Sequence, residues 1–202
     1  MSRQVFVYDR PERFIAGTVG QPGQRTFYLQ ASAAGRRTTV ALEKTQVALL
    51  AERLEQLLDE VLRRSGGTAA VPAVAPVELA DNAPLDTPVD EDFRVGAMAL
   101  AWDDAAERVV VEAIALDPEA DQPAEGNDED PTGREDDGLI ADDDVEGPPV
   151  LRVRLTGAQT RAFAQRALAV VAAGRPSCPF CGLPIDPSGH ICPRSNGYRR
   201  RG

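Results

Sequence analysis

The sequence predicts an α+β fold of two similar units, each an antiparallel sheet followed by a helix, packed as a pseudo-symmetric pair. Two observations carry this prediction. Strand-like runs are followed by a helix-like run twice along the chain, and the two copies share residues at corresponding positions. A third observation is that all three cysteines lie within the last 25 residues, which indicates a separate small module at the C-terminus.

The first unit, residues 1–65, begins with four predicted strands. They are short runs rich in β-branched and aromatic residues, separated by Pro and Gly as hairpin turns would be: Gln4–Asp9, Arg13–Val19, Arg25–Ser32 and Arg36–Leu42. A helix is predicted from Lys44 to Arg64, because apolar residues recur there at helical spacing. The predicted apolar stripe consists of Val47, Leu50, Leu54, Leu57, Leu58, Val61 and Leu62.

Residues 66–90 are rich in Ala, Pro, Gly and Val and show no period, so we interpret them as a linker that is partly extended, with packing over the scaffold as an alternative left open. The second unit, residues 91–174, repeats the plan of the first. Its predicted strands are Phe93–Trp102, Glu107–Leu116 and Val150–Leu155. Thr156 then opens a helix that runs to about Ala173, since Thr156 and Gln159 form a capping-box pattern.

The two units match at the level of residues. At a constant offset of 113, the match pairs Val40 with Val153, Leu42 with Leu155, Gln46 with Gln159, Ala51 with Ala164 and Arg53 with Arg166. Upstream, the sequence Phe14-x-x-Gly17 corresponds to Phe93-x-x-Gly96. The match favours a duplication over two independent units that share chance identities.

The second unit carries an acidic insertion at residues 117–147. It holds 14 Asp and Glu residues against one Arg, so the remaining residues of this chain of net charge −10 sum to +3. A segment so charged, and interrupted by Pro and Gly, buries too little apolar surface to fold, and we predict disorder. We favour a solvated spacer over a mimic of nucleic-acid charge or a calcium loop, because the twelve-residue calcium pattern is incomplete.

The three cysteines and the only histidine of the chain lie within residues 178–192. They are arranged as C-x-x-C, eight residues and H-x-C: Cys178, Cys181, His190 and Cys192. Three thiolates and one imidazole at this spacing are typical of tetrahedral Zn²⁺. We therefore predict a zinc knuckle within residues 175–202. The single ion would be structural, because four protein ligands leave no open position for water.

Other uses of these thiols are less favoured. A redox C-x-x-C pair would not need His190 or Cys192, and a zinc deaminase would need a second histidine. Iron, or thiols without metal, are the remaining alternatives. A basic tail follows the module and is a candidate contact for nucleic acid or a protein partner, through Arg194, Tyr198, Arg199, Arg200 and Arg201.

No catalytic motif is present. The chain has no phosphate-binding or dinucleotide-binding glycine loop and no nucleophile elbow, and with His190 on the metal a triad would have no base. We therefore interpret the protein as a non-enzymatic adaptor or scaffold whose zinc module binds a protein partner. The alternatives are a nucleic-acid-binding zinc protein and an enzyme that acts on a small or phosphorylated metabolite in a cleft between the units.

The sequence also bears on location. It has no run of 18 apolar residues and no signal-like opening, so we expect no membrane association. An odd number of cysteines does not suit a disulfide framework, and metal-bound thiolates fit a cytoplasmic protein better.

Three stretches of the sequence resemble one actinobacterial family. They are the opening Arg3–Phe14, the run Thr26–Ala31 and the ending Cys178–Arg199. The family is called domain of unknown function 3090 and is also described as a repeat protein. The resemblance covers nearly the whole chain apart from the two low-complexity segments. It implies a duplicated fold and a cytoplasmic location, and it implies no reaction, because the family has no established activity.

Overall fold

The structure, a computed structural model, describes residues 2–117, 139–141, 144–174, 178–181, 185, 192 and 194. It contains nine regular elements longer than one turn within those residues: β1 (Val5–Tyr8), β2 (Arg13–Val19), β3 (Thr26–Ala33), β4 (Arg36–Leu42), α1 (Lys44–Arg64), β5 (Phe93–Asp103), β6 (Arg108–Ala115), β7 (Val150–Leu155) and α2 (Gly157–Ala172). Every predicted strand and helix is present, with ends within one residue of the prediction. No helix of the described residues is long and apolar enough to cross a membrane.

The strands form one sheet in the order β1-β7-β6-β5-β4-β3-β2. β2, β3 and β4 are an antiparallel meander followed by α1, and β5, β6 and β7 are a second meander followed by α2. A short parallel pairing, with Val40 beside Phe93 and Ala41 beside Arg94, joins β4 to β5. The α+β class is confirmed, and the two units lie side by side in one mixed sheet. Their origin by duplication stays a prediction.

The first strand departs from the predicted arrangement. The sequence suggests a hairpin between β1 and β2, whereas β1 pairs in parallel with β7 at the other edge of the sheet, Val5 beside Val150. The side chain of Tyr8 explains why this placement is stable. Its ring is buried, and its hydroxyl lies 2.9 Å from the hydroxyl of Thr38 in β4. β1 therefore belongs by backbone pairing to the second unit and by side-chain packing to the first.

Both helices begin with the same hydrogen bond. The Gln46 side chain accepts from the backbone N–H of Glu43 at 2.8 Å, and the Gln159 side chain accepts from that of Thr156 at 3.0 Å. The Thr156 hydroxyl accepts in return from the N–H of Gln159 at 3.1 Å, which confirms the predicted capping box. These bonds satisfy N–H groups that the first turn of a helix leaves unpaired.

The core lies between the two helices and one face of the sheet. The buried residues of α1 follow the predicted stripe, except that Leu57 and Leu62 are only half-buried. They are Val47, Leu50, Ala51, Leu54, Leu58 and Val61. α2 contributes Phe163, whose ring stacks on Phe14 of β2 with 4.5 Å between centroids. Because α2 packs on β2, the helix of the second unit helps to cover the sheet of the first.

The predicted linker is bound to both units. We call residues 66–92 the strap; it contains one turn of 3₁₀ helix at Val77–Leu79. Early in the strap the Pro72 carbonyl accepts from Arg161 of α2, and further on Leu85 is buried against β2. Most of the acidic insertion lies outside the described residues, so its disorder stays a prediction. Its returning end is described, and Ile140 there bonds to β6 and β7.

Candidate metal centre

The structure brings the three predicted thiol ligands together. The sulfur atoms of Cys178, Cys181 and Cys192 all lie within 4.8 Å of one another, although Cys192 is eleven residues from the nearest of the other two. The Cys178 and Cys192 sulfurs are 3.7 Å apart. His190, the predicted fourth ligand, lies outside the described residues.

The spacing of the sulfur atoms fits a tetrahedral metal ion. A Zn–S bond of about 2.3 Å makes the edge of a tetrahedron of sulfurs about 3.8 Å long. The distance of 3.7 Å between the Cys178 and Cys192 sulfurs agrees with that edge. It is far longer than the S–S bond of a disulfide, about 2.05 Å. Three soft sulfur donors at this spacing suit Zn²⁺ or iron rather than a hard cation such as Ca²⁺.

The burial of the thiols also favours a structural ion. Cys178 and Cys192 are buried and Cys181 is half-buried. Thiolates this close repel one another, and burial disfavours each charged form, so a cation between them would offset both effects. A site largely closed to water suits a structural metal better than one that activates a water molecule.

The turn between the first two cysteines presents an aromatic side chain to solvent. Phe180 lies between Cys178 and Cys181 and is 62% exposed. Its carbonyl oxygen accepts a hydrogen bond from the guanidinium of Arg194 at 3.2 Å. The first residue of the predicted basic tail is therefore folded back onto the knuckle. The other candidate contacts, Tyr198 and Arg199–Arg201, lie outside the described residues.

Sequence reasoning missed a second polar cluster, centred on Asp81 of the strap. Arg13 of β2 donates to both carboxylate oxygens of Asp81, at 2.6 and 3.0 Å, and Arg166 of α2 lies 3.1 Å from one of them. The hydrogen bond from Arg13 lowers the pKa of Asp81 below its usual value, and the nearby charges of Arg13 and Arg166 act in the same direction. No local pattern could have shown this cluster, because its members are more than 65 residues apart.

A small cleft of about 250 Å³ adjoins this cluster, between β2, α2 and the strap. The stacked rings of Phe14 and Phe163 form part of its wall, and Arg13 and Arg166 also line it. Both arginines also donate to backbone carbonyls of the strap, including that of Ala83. These contacts fasten the strap to the two units and give both arginines a structural role.

A model of the family described as "Protein of unknown function (DUF3090)" matches residues 6–192. The chain belongs to this family. The match takes in both units, the strap and all three cysteines of the candidate centre, and it confirms the resemblance drawn from the sequence. No curated protein and no solved structure matches the chain. The description of the DUF3090 family names no activity.

Proposed function

We propose that this protein is a non-enzymatic adaptor that binds a protein partner through a zinc-stabilised C-terminal module. The observation that carries the proposal is the group of three thiol sulfurs within 4.8 Å of one another, one pair of them 3.7 Å apart, with an exposed phenylalanine between two of the cysteines. Cys178, Cys181 and Cys192 would hold one structural Zn²⁺ together with His190, the only histidine of the chain.

The metal would serve to hold the turn in one conformation. The module is too short to bury a hydrophobic core of its own, so most of its folding free energy would come from metal binding. Phe180 would then stand on a turn fixed at both ends by ligands. A rigid, exposed aromatic residue loses little conformational entropy when a partner covers it, which is why such residues often dominate binding energy at interfaces.

Metal content tests the first part of the proposal. Mass spectrometry on the full chain, purified without added metal, is expected to find one zinc ion per molecule and none in Cys192→Ser. Phe180→Ala serves as the matched variant inside the module, since it should keep the zinc. Full-length wild type without metal, its thiols reactive, would end the zinc proposal and direct attention to redox chemistry at Cys178 and Cys181.

Partner capture tests the second part. A partner protein that is cross-linked to the wild type should no longer be captured by Cys178→Ser or by Phe180→Ala. The control variant Val77→Ala should still capture it, because Val77 is 86% exposed on the strap and lies outside the module. A partner that the zinc-free Cys178→Ser variant still binds would show that the module is not the docking element. The variant Phe180→Ala separates loss of the contact from loss of the fold.

Nucleic-acid binding is a second candidate, favoured by one observation. The guanidinium of Arg194 donates to the carbonyl oxygen of Phe180, the residue whose ring is exposed. Proteins that bind single-stranded nucleic acid combine basic and exposed aromatic residues in this way. Such binding would weaken steeply with salt. It should also weaken when Arg199–Arg201 are deleted. The acidic insertion would oppose it by repelling phosphates.

We also propose that the two units are copies of one ancestral unit. Matched residues play matched structural roles in support of this: Gln46 and Gln159 accept the same capping bond, and Ala51 and Ala164 are both fully buried. We further propose a cytoplasmic location, because thiolate ligands persist best in a reducing compartment.

A further inference from the structure

A groove runs along the outer side of α1, between this helix and β5. Two adjoining cavities of about 490 and 520 Å³ form it, and both are lined by Leu57 and Glu60. We call it the α1–β5 groove. From Leu49 to Arg64 it follows the helix for about 22 Å. Its apolar lining consists of Leu49, Leu50, Leu57, Met98, Leu100 and Trp102.

The lining of the groove combines one large exposed apolar side chain with several half-buried ones. Leu49, near the start of α1, is 49% exposed although it is a large apolar residue. Along the groove, Leu57, Met98 and Leu100 are only half-buried and Leu50 forms a buried part of the floor. A surface that pairs with its own copy around a two-fold axis must carry complementary features of this kind, because each patch meets itself.

Three charged residues at the rim have no ion-pair partner among the described residues. Arg53 stands on the helix wall, whereas Asp104 and Glu107 stand at the tip of the β5–β6 hairpin. No ion pair joins any of these three to another residue in the described part of the chain. Glu60, in contrast, is held by Arg63 and Arg64 at 2.5 and 2.6 Å. A two-fold axis would bring Arg53 of each copy to the acidic hairpin tip of the other.

The corresponding groove of the other helix is covered. There the strap crosses between α2 and β2, with Leu79 and Asp81 lining the remaining cleft. The described residues place no such cover over the α1–β5 groove. One helix is therefore covered by its own chain, while the other leaves apolar residues exposed.

We propose that the α1–β5 groove is a homodimer interface, in which Leu49 of each copy enters the groove of the other. The occupant is a second copy of this chain, because an exposed leucine, a half-buried apolar lining and unpaired charges of both signs all lie on the same patch. A dimer would present two zinc modules and would raise the avidity of an adaptor for a repeated partner.

Light scattering during gel filtration of the full chain tests this inference. Wild type should have twice the monomer mass of 21.6 kDa, and Leu49→Glu should raise the dimer dissociation constant about 100-fold, as loss of a central apolar contact does. The matched control is Val77→Glu, which adds the same charge at a side chain 86% exposed on the strap and should stay dimeric. Unchanged circular dichroism would show that Leu49→Glu still folds.

Mixed variants test the two-fold arrangement. Arg53→Glu and the double variant Asp104→Lys, Glu107→Lys should each dimerise weakly alone and form a heterodimer when mixed. A monomeric wild type at every concentration would overturn the inference, as would a dimer that survives Leu49→Glu or a mixture that gains nothing. A dimer lost only in Cys192→Ser would assign the interface to the zinc module and would also overturn the inference. The measurements of metal content and of partner capture test the proposed function separately and do not depend on the oligomeric state.

Discussion

Two short segments, one from the strap and one from the end of the acidic insertion, cover the sheet on the face away from the helices. Gln30 in β3 and Glu112 in β6 point to that face, because their strand neighbours point into the core. β3 and β6 are each the central strand of their meander. Gln30 exchanges two hydrogen bonds with the backbone of Asp86, at 2.8 and 3.1 Å. Glu112 accepts from the N–H of Ile140 at 2.9 Å, and Arg152 donates to the carbonyl of the same residue.

We call the hydrogen bonds of Gln30 to Asp86 the Gln30 clamp, and those of Glu112 and Arg152 to Ile140 the ionic clamp. The two clamps differ in charge. One amide supplies both donor and acceptor in the first unit, so no ion is buried there. In the second unit the acceptor and the donor belong to different residues, and Glu112 and Arg152 form a buried ion pair at 2.5 Å. Thr39 and Arg152 are the cross-strand neighbours of Gln30 and Glu112, and they correspond at the offset of 113. The same backbone contact is thus made once without charge and once with a pair that is costly to break.

The largest expected effect comes from breaking the ionic clamp. Arg152→Thr leaves Glu112, which is fully buried, without its cation and should lower the free energy of unfolding by about 4 kcal/mol. The double variant Glu112→Gln, Arg152→Thr copies the Gln30–Thr39 pair of the first unit. It should recover more than half of that loss. Urea unfolding followed by circular dichroism measures both values.

Arg154→Thr provides the control in the same strand. Arg154 pairs with Asp9, but that carboxylate is 64% exposed, so we expect a loss below about 1 kcal/mol. If Arg152→Thr cost no more than this control, the buried pair would not be the fastening of the returning segment. If the double variant were less stable than Arg152→Thr, the two clamps would not be interchangeable.

Substitutions at the matched glycines, Gly17 and Gly96, are expected to have an intermediate effect. The nearest atoms to one glycine belong to a side chain, whereas the nearest atom to the other belongs to the backbone. A Cβ at Gly17 would lie 2.6 Å from the Leu85 side chain, whereas a Cβ at Gly96 would lie 2.8 Å from the backbone of Leu116. Alanine at either position should cost about 2 kcal/mol, as overpacking does. Double-mutant cycles should show that Leu85→Ala relieves Gly17→Ala. Leu116→Ala should not relieve Gly96→Ala, because the backbone atoms stay in place. Equal coupling in both cycles would contradict the contrast.

The sequence predicted the elements well because their signals are local. Helical spacing of apolar residues defines α1, the Thr156–Gln159 pattern defines the start of α2, and Pro and Gly mark the strand ends. The three cysteines of the candidate metal centre could be identified from the sequence equally well, since Cys178, Cys181 and Cys192 lie within one short window. In each case the residues that decide the structure are neighbours along the chain.

The remaining features depend on contacts between residues far apart in sequence. β1 could have paired with β2 by local rules, yet it pairs with β7, about 145 residues away. Nothing in the sequence singled out Gln30 or Glu112, and the strap showed no period and was interpreted as a linker. Each proves to be buried or bound only because a distant segment covers it, and neither composition nor spacing identifies that segment.

The smallest expected effect concerns Asp81, the ionic fastening of the strap. Hydrogen bonding to Arg13 lowers the pKa of Asp81 in the folded protein. Its contribution to stability is therefore fully present above the ordinary Asp pKa of about 3.9, and it is lost as pH falls through the lower folded value. Asp81→Asn should cost about 1 kcal/mol near neutral pH, since the carboxylate is partly exposed.

This cost should shrink as the medium is acidified, because wild type loses the same contribution when Asp81 is protonated. Urea unfolding of both proteins between about pH 6 and 3 measures the difference. Asp90→Asn, at an exposed aspartate of the same strap, is the control for the removal of one carboxylate. The Gln30 clamp carries no charge and cannot titrate, so a pH-dependent gap confined to Asp81→Asn would separate the two fastenings of one segment. Parallel curves for all three proteins would instead leave the strap held by its neutral contacts.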